Sequence, residues 1–260
     1  MSVVSPSEWF VRYQNHPATA PVRLFAFPFA GGGAAIYREW GNRLRGVDVY
    51  SALLPGRERR LDELPIGDLH QLLDPLLPAL LALADRPFIL FGHSMGALIA
   101  YELARRLKER GVSPAHVIVS GYRSPDRPRR NRTLHHLPDA ELVDALRDYG
   151  GTPAKILEHE EMLQILLPML RADFRLNETY LYTPGLMLDC PLTALAGLAD
   201  KLVTPDEMTG WGEKTDGDFS LVRIPGGHFF ILECPDLVLE TVQNRIHGLA
   251  NGWKARGSEW

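Results

Sequence analysis

The feature of this sequence that most constrains its fold is the alternation of short β-rich runs with longer helical patterns. Such alternation predicts a mostly parallel sheet with helices on its faces, and 260 residues suit a single domain of this kind. The run Phe88 to Phe91 is wholly apolar, as expected of a central strand buried on both faces. The predicted strands are 22–27, 47–53, 88–91, 117–120, 192–196 and 219–224.

The alternation breaks in the middle of the chain. From about 125 to 185 the sequence has only polar loops and helical patterns, at 139–149 and 160–181. An insertion of this kind predicts a helical lid over an active site, the alternative being a helical subdomain that only covers the sheet. Residues 1–260 then form one domain with a lid insertion. The other predicted helices run through 36–44, 68–84, 95–110 and 235–249.

The pentapeptide Gly92-His93-Ser94-Met95-Gly96 matches the G-x-S-x-G turn that carries a nucleophilic serine in α/β-hydrolases. The pentapeptide alone is a weak signal, but an apolar strand precedes it and a helical pattern follows it. Small residues beside the serine allow the strand and the helix to approach each other. Ser94 is therefore the candidate nucleophile of an α/β-hydrolase fold, and the alternative is an ordinary turn with an inert serine.

A serine nucleophile needs a base and an acid, which follow it in the chain order Ser, acid, His in this fold. His228 follows the last predicted strand and a Pro-Gly-Gly turn, so its ring can reach over the sheet edge. Asp200 ends the run that begins at 192, which puts its carboxylate at the carboxyl edge of the sheet. The less favoured candidates are His93 (a structural role), His247 (in the last helix) and Asp206 (in the first turn of a helix).

An acyl-transfer site also needs two backbone N–H donors for the negative charge that develops on the carbonyl oxygen. Met95, directly after the nucleophile, is the first candidate. The second is Ala30, with Phe29 as the nearest alternative, in the Gly-rich loop 28–33 after the first predicted strand. This loop lacks both the G-x-G-x-x-G pattern and the lysine of a phosphate-binding loop.

The overall composition is that of an ordinary globular protein. The net charge of −4 argues for neither nucleic acid nor a membrane surface as a partner. No segment is long and apolar enough to span a bilayer, and residues 1–6 show no signal peptide. Cys190 and Cys234 have no disulfide-like spacing and are expected to be reduced. We expect a cytoplasmic protein, a monomer, with no metal site.

Several motifs together resemble the stand-alone type II thioesterases of polyketide and nonribosomal-peptide synthases. The resemblance covers almost the whole chain and is far more specific than the serine motif alone. The matching stretches are 27–32 (FPFAGG), 55–57 (PGR), 92–97 (GHSMGA), 170–174 (LRADF), 178–180 (ETY), 197–200 (GLAD) and 226–229 (GGHF).

This resemblance implies hydrolysis of acyl groups from the phosphopantetheine arm of acyl or peptidyl carrier proteins, with a mobile helical lid and no cofactor. Phe29 stands where relatives often have His or Tyr, and Lys201 follows the acid where Pro is common, so acyl specificity cannot be transferred from the family. Carrier proteins are usually acidic, which makes two arginine-rich loops candidate docking surfaces or simply solvated loops. These arginines are Arg57, Arg59 and Arg60 in one loop and Arg123, Arg127, Arg129, Arg130 and Arg132 in the other.

Two other functions use the same sequence features. A carboxylester hydrolase or lipase would have the same three catalytic residues. A catalytically inactive α/β-hydrolase that serves as a binding protein is the second alternative, and the presence of all three residues argues against it.

Overall fold

The computed structural model describes residues 6–14 and 17–255; the N-terminal residues 1–5, on which the expectation about a signal peptide rests, lie outside this part. Its strands are β1 (Phe10–Val11), β2 (Val22–Phe27), β3 (Val47–Ala52), β4 (Phe88–His93), β5 (His116–Ser120), β6 (Leu192–Gly197) and β7 (Phe219–Ile224). They form one sheet in the order β1-β3-β2-β4-β5-β6-β7, parallel throughout except that β1 pairs antiparallel with β3.

Helices connect the strands and cover the sheet. They are α1 (Pro6–Trp9), α2 (Trp40–Arg43), α3 (Leu69–Leu81), α4 (Met95–Lys108), α5 (Asp139–Tyr149), α6 (Ala154–Leu157), α7 (Glu160–Thr179), α8 (Pro205–Met208), α9 (Phe230–Glu233) and α10 (Pro235–Ala255). Short 3₁₀ turns lie at Ala34–Tyr37, Glu58–Arg60 and Thr209–Lys214. This architecture confirms the predicted α/β-hydrolase fold.

Strands β2 to β6 are buried on both faces, whereas β7 at the edge of the sheet is half-exposed. On one face, α3 and α4 pack against the strands through a core that includes Leu76 and Leu98. On the other face, α10 contributes Val238, Val242 and Ile246 to a second core. Burial on both faces explains the wholly apolar run of β4, whose side chains have no contact with solvent on either side.

The predicted helix through 36–44 is wrong as a single element. A 3₁₀ turn at Ala34–Tyr37 and the short α2 replace it. Gly41 lowers the helical preference of this stretch. The chain is held instead by tertiary contacts: the Tyr37 hydroxyl donates to the Phe27 carbonyl at 2.7 Å, and Trp40 is buried. The two-residue β1 escaped prediction because it is too short to show an alternating pattern.

Helices α5, α6 and α7 lie between β5 and β6 in the chain and have a small apolar core of their own. This core includes Leu146, Leu170 and Phe174, and Ala30 from the loop after β2 packs against it. The insertion predicted at 125–185 is therefore helical and touches the Gly-rich loop. In the part of the chain that the structure describes, no helix is long and apolar enough to cross a membrane.

Both cysteines are free, as predicted. Cys190 is buried in the core that includes Leu76 and Leu98, and this burial raises the pKa of its thiol to about 12.

Candidate active site

Ser94 lies at the turn between β4 and α4 with φ 52° and ψ −119°, a conformation that residues other than glycine rarely adopt. The flanking glycines make the turn possible. A Cβ at Gly92 would lie 1.9 Å from the Gly96 carbonyl oxygen, and one at Gly96 would lie 2.0 Å from the Phe27 carbonyl oxygen. The Ser94 N–H donates to the Ser120 carbonyl at 2.7 Å, which ties the turn to β5.

His228 follows β7 and faces Ser94. Its Nε2 lies 3.0 Å from Ser94 Oγ, and its Nδ1 lies 2.8 Å from Asp200 Oδ2. An ionised carboxylate only accepts hydrogen bonds, so Nδ1 carries the proton and Nε2 is left to accept the serine hydroxyl. The structure thus brings the three predicted residues together in a serine–histidine–carboxylate chain.

Asp200 lies in the turn after β6, and its side chain is fully buried. The oxygen that does not face His228, Oδ1, accepts the backbone N–H groups of Leu202 and Val203 at 2.8 and 3.0 Å. These bonds hold the carboxylate in one rotamer and stabilise its charge. Gly197 permits the close approach here, because a Cβ at this position would lie 2.5 Å from the Gly227 carbonyl oxygen.

His93 is fully buried beside this chain of hydrogen bonds, with Nε2 2.9 Å from the His228 carbonyl oxygen and Nδ1 2.8 Å from Ser120 Oγ. A carbonyl only accepts, so His93 donates from Nε2 and accepts the Ser120 hydroxyl at Nδ1. Burial, reinforced by the neighbouring His228, lowers the pKa of His93 well below its usual value. The neutral ring holds the backbone of His228, in agreement with the structural role expected from the sequence.

Of the two predicted donors, Met95 directly follows Ser94, and Ala30 borders the same cavity as Ser94. Met95 is the first residue of α4, so its N–H has no acceptor within the helix. In the Gly-rich loop, the Gly31 N–H donates to Asp173 and the Gly32 N–H to the Phe29 carbonyl. With these two groups engaged, Ala30 stays the predicted donor and Phe29 its alternative.

A small cavity of about 60 Å³ borders Ser94 and His228. Its walls come from the Gly-rich loop, from the loop after β7 and from α5 and α7. The apolar residues of this wall include Phe29, Phe229, Leu146, Tyr149, Leu170 and Phe174. Sites for drug-sized ligands usually measure about 300–1,000 Å³. The cavity beside Ser94 is small compared with this range.

The loop before α5 is fastened to α7 through Glu178, whose carboxylate is fully buried. It accepts the N–H groups of Leu134 and His135, the His135 ring at 2.6 Å and the Arg129 guanidinium at 2.8 Å. Arg129, whose side chain is 20% exposed, is therefore tied into this ion pair, and Arg57 is buried in an ion pair with Asp173, so neither is a freely exposed arginine. The docking prediction is corrected accordingly, while Arg130 remains 72% exposed.

The less favoured candidates Asp206 and His247 take no part in the hydrogen bonds of Ser94, His228 and Asp200. Asp206 is exposed in the first turn of α8, whose N-terminus is capped by Thr204 and Glu207. His247 is exposed on α10. Among the described residues, no group of three or more His, Cys, Asp or Glu side chains could hold a metal ion.

Sequence reasoning missed the roles of Arg57 and Asp173, which form a buried ion pair beside the Gly-rich loop. Both residues lie within stretches that carry the family resemblance, the 55–57 and 170–174 motifs. Their place in the sequence gave no reason to pair them, because 116 positions separate them.

Comparisons with known proteins agree with this geometry. Residues 22–246 match the family described as Thioesterase domain. Linear gramicidin dehydrogenase LgrE of Brevibacillus parabrevis is 40% identical over 98% of both chains. Gramicidin S biosynthesis protein GrsT of Aneurinibacillus migulanus is 41% identical, over 87% of this chain and 89% of GrsT. The solved structure of the type II thioesterase BorB from the borrelidin biosynthetic cluster has a TM-score of 0.85 and 41% identity, with 92% of this chain and 97% of BorB covered.

Proposed function

This chain belongs to the thioesterase family, and on that premise we propose that it is a stand-alone type II thioesterase that removes acyl groups from the phosphopantetheine arm of acyl or peptidyl carrier proteins. The observation that carries the proposal is the chain of hydrogen bonds from Ser94 through His228 to Asp200 at 3.0 and 2.8 Å. LgrE is named a dehydrogenase, but the residues assembled here are those of serine hydrolysis rather than hydride transfer.

The first half of the reaction forms an acyl-enzyme. Ser94 Oγ attacks the thioester carbonyl carbon while His228 Nε2 takes its proton, and the Ala30 and Met95 N–H groups bind the carbonyl oxygen as it becomes an anion. When this intermediate collapses, the carbon–sulfur bond breaks. The sulfur receives the proton from His228, and the carrier leaves with a free thiol.

The second half of the reaction repeats these steps with water. His228 removes a proton from a water molecule that attacks the acyl carbon of Ser94, and the same two N–H groups bind the second anion. The Ser94 oxygen then leaves with the proton from His228. The products are a free carboxylic acid and the original enzyme, so the cycle needs no cofactor.

A role in editing, the removal of stalled or aberrant units, is the biological form of this proposal. It is supported by the likeness to a named type II thioesterase and by the insertion of α5 to α7 over the cavity. We assign these helices the function of a lid that encloses the acyl chain. The apolar wall contributed by Leu146, Leu170 and Phe174 suits an acyl chain rather than a polar substrate.

An acidic carrier protein needs a basic surface near the cavity mouth. The exposed arginines of the loop before α5 remain candidates for it, namely Arg127, Arg130 and Arg132. Residue Arg130 has its nearest acidic partner, Glu207, at 3.3 Å, a rim contact that a carrier could replace. A cytoplasmic monomer acting on such carriers stays a prediction.

The decisive experiment compares the parent protein with Ser94→Ala on an acyl-pantetheine thioester. We expect kcat to fall by about 10⁴-fold or more in Ser94→Ala and His228→Ala, and by about 10³- to 10⁴-fold in Asp200→Asn, with the thermal unfolding midpoint close to that of the parent. Substantial thioesterase activity in Ser94→Ala would refute this mechanism.

The same site could hydrolyse oxygen esters, and the leaving groups separate the two functions. A thiolate is a much weaker base than an alkoxide and leaves with less assistance from His228. We expect kcat/KM to be higher for an acyl-pantetheine thioester than for the matched oxygen ester. A binding protein without activity would hydrolyse neither and would not react with a fluorophosphonate probe at Ser94.

A further inference from the structure

A buried ion pair holds the Gly-rich loop that contains Ala30. Arg57 Nη2 lies 2.6 Å from Asp173 Oδ1, and Arg57 Nη1 lies 2.9 Å from Asp173 Oδ2. Both side chains are almost completely buried. Arg57 comes from the turn after β3 and Asp173 from α7, so this two-point contact joins the sheet side of the molecule to a helix of the insertion.

Both partners of the ion pair also bind the backbone of the loop. Asp173 Oδ2 accepts the Gly31 N–H at 2.8 Å, and Arg57 Nη1 donates to the Gly32 carbonyl at 2.8 Å. Gly31 has φ +79°, and a Cβ there would lie 2.7 Å from Leu170 Cδ2 on α7. The loop therefore depends on α7 both for a hydrogen-bond acceptor and for close packing.

The turn after β3 supplies a second carboxylate that accepts a backbone N–H beside the Gly-rich loop. Glu58 Oε1 accepts the Ala35 N–H at 2.8 Å, and a Cβ at Gly33 would lie 2.3 Å from this oxygen. Glu58, in the turn after β3, thus holds the C-terminal end of the loop. Asp173, on α7, holds the part of the loop next to Ala30.

We propose that Arg57 and Asp173 are positioning residues that orient the Ala30 N–H toward the substrate oxygen, and that this orientation is reached only when α7 is seated on the loop. The proposal rests on the proposed function. The Gly31 N–H belongs to the peptide unit that follows Ala30, so fixing this unit restricts the backbone rotations that aim the Ala30 N–H.

The charge of Arg57 is a necessary part of this arrangement. A carboxylate near the carbonyl oxygen would oppose the negative charge that develops there during attack by Ser94. The guanidinium compensates the Asp173 charge through two hydrogen bonds, so Asp173 can hold the loop without repelling the anion. If α7 moved away from the Gly-rich loop, Asp173 would separate from the Gly31 N–H, and the Ala30 N–H would no longer be oriented. Hydrolysis is then confined to the closed state.

The test compares two substitutions at Asp173. In Asp173→Asn the side-chain oxygen can still accept the Gly31 N–H, whereas in Asp173→Leu no acceptor remains. On a short acyl-pantetheine thioester we expect kcat to fall by about tenfold in the first and about 10²-fold in the second, with KM nearly unchanged. Arg171 on α7 forms a second ion pair, with Asp139 on α5. Asp139→Asn is the matched control, and we expect it to keep the parent kcat.

A second measurement separates positioning from a merely structural role. An alkyl trifluoromethyl ketone forms an adduct with Ser94 whose oxygen anion occupies the place of the reacting carbonyl oxygen, whereas an alkyl-pantetheine thioether binds without such an anion. We expect the affinity for the ketone to fall in parallel with kcat/KM across the Asp173 variants and the affinity for the thioether to stay at the parent value. Equal losses for both ligands would contradict the proposal.

Asp173→Leu leaves the buried Arg57 unpaired and can fail to fold, so the double variant Arg57→Met with Asp173→Leu removes both charges at once. We expect it to fold and still to have kcat reduced by about 10²-fold, because the Gly31 N–H has no acceptor. A folded double variant with the parent kcat would overturn the proposal. If instead the parent protein hydrolysed no thioester at all, the proposed function would fail and not this inference.

Discussion

At the scale of single residues, the site contains two histidines with opposite tasks. His228 faces Ser94 and Asp200, and so has one nitrogen available for proton transfer. His93 is fully enclosed, with both nitrogens engaged, and stays neutral because burial lowers its pKa. The two rings lie only 5.4 Å apart between centroids, and their different partners explain why only one of them can act as the base.

The bond from His93 to the His228 carbonyl leads to a prediction. His93→Leu removes this donor, so the loop that carries His228 loses this hydrogen bond to β4. We expect kcat to fall by about tenfold and the free energy of unfolding to fall by about 1–3 kcal/mol, because a buried carbonyl is left without a partner. Steady-state kinetics and urea unfolding would measure both effects. His93→Gln, which can still donate, should lose less of each; equal losses in the two variants would contradict the proposed bond.

At the scale of elements, polar contacts attach the end of the insertion to the rest of the molecule, in addition to the apolar packing of α7 on the Gly-rich loop. Glu178 fastens the loop before α5 to α7, and the Tyr180 hydroxyl donates to Glu102 on α4 at 2.6 Å just after α7 ends. Arg105 on α4 adds a bond to the Thr183 carbonyl at 2.8 Å. The C-terminal end of α7 is therefore anchored, and we expect α5, α6 and the preceding part of α7, which carries Asp173, to turn about it.

Hydrogen exchange can test whether the insertion moves as a lid. We expect residues 139–179 to exchange faster than β4 and β5, and to become protected when an acyl phosphonate occupies Ser94. Glu178→Gln weakens the attachment of the loop at 129–135 and should accelerate exchange in that loop, with the exchange of β4 unchanged. Identical protection of the insertion with and without the phosphonate would argue against a lid.

At the scale of the whole molecule, buried neutral histidines make stability depend on pH. His116 is buried with Nε2 2.8 Å from Thr193 Oγ1, and burial together with the charge of Arg245 lowers its pKa to about 4. Between the usual histidine pKa of about 6.5 and this value, the unfolded chain binds a proton that the folded chain does not. Stability is therefore full above about pH 6.5 and decreases as the pH falls.

For His116 alone, this difference amounts to about 3 kcal/mol between pH 6.5 and 4. His116→Asn should make the free energy of unfolding less dependent on pH in this window, as measured by urea unfolding at several pH values. His247→Asn, at an exposed position on α10, is the matched control. An unchanged pH dependence in His116→Asn would show that the protonation of other groups dominates acid unfolding.

The surface of the molecule provides a test of carrier docking. Arg130→Glu with Arg132→Glu reverses two exposed charges and leaves the buried pair of Arg129 and Glu178 intact. We expect a several-fold lower kcat/KM for acyl-carrier substrates, with a larger effect at low salt, because rim charges act mainly on association. Hydrolysis of a short acyl-pantetheine should proceed at the parent rate. Loss of activity on the short substrate would indicate a damaged insertion instead of a docking surface.

Sequence reasoning reached the fold and the three central residues because both depend on local patterns. The strand before Ser94, the turn glycines and the position of His228 after a strand can all be recognised over a few residues. The pairing of Arg57 with Asp173 could not be recognised in this way, since it results from the approach of α7 to the turn after β3 in three dimensions. The short α2 illustrates the same limit, because tertiary contacts there outweigh the helical pattern.

The cavity of about 60 Å³ beside Ser94 has a consequence for how the enzyme could choose its substrates. If the open form is a minor fraction of the population, the apparent affinity for any acyl chain is reduced by that fraction. An acyl chain that is elongated quickly then leaves its carrier before the carrier meets an open enzyme molecule. A blocked chain waits through many such events. Under this condition, the enzyme hydrolyses a thioester according to how long it stays on its carrier more than according to its chemical structure. The rate at which the insertion opens then sets the time scale of this selection.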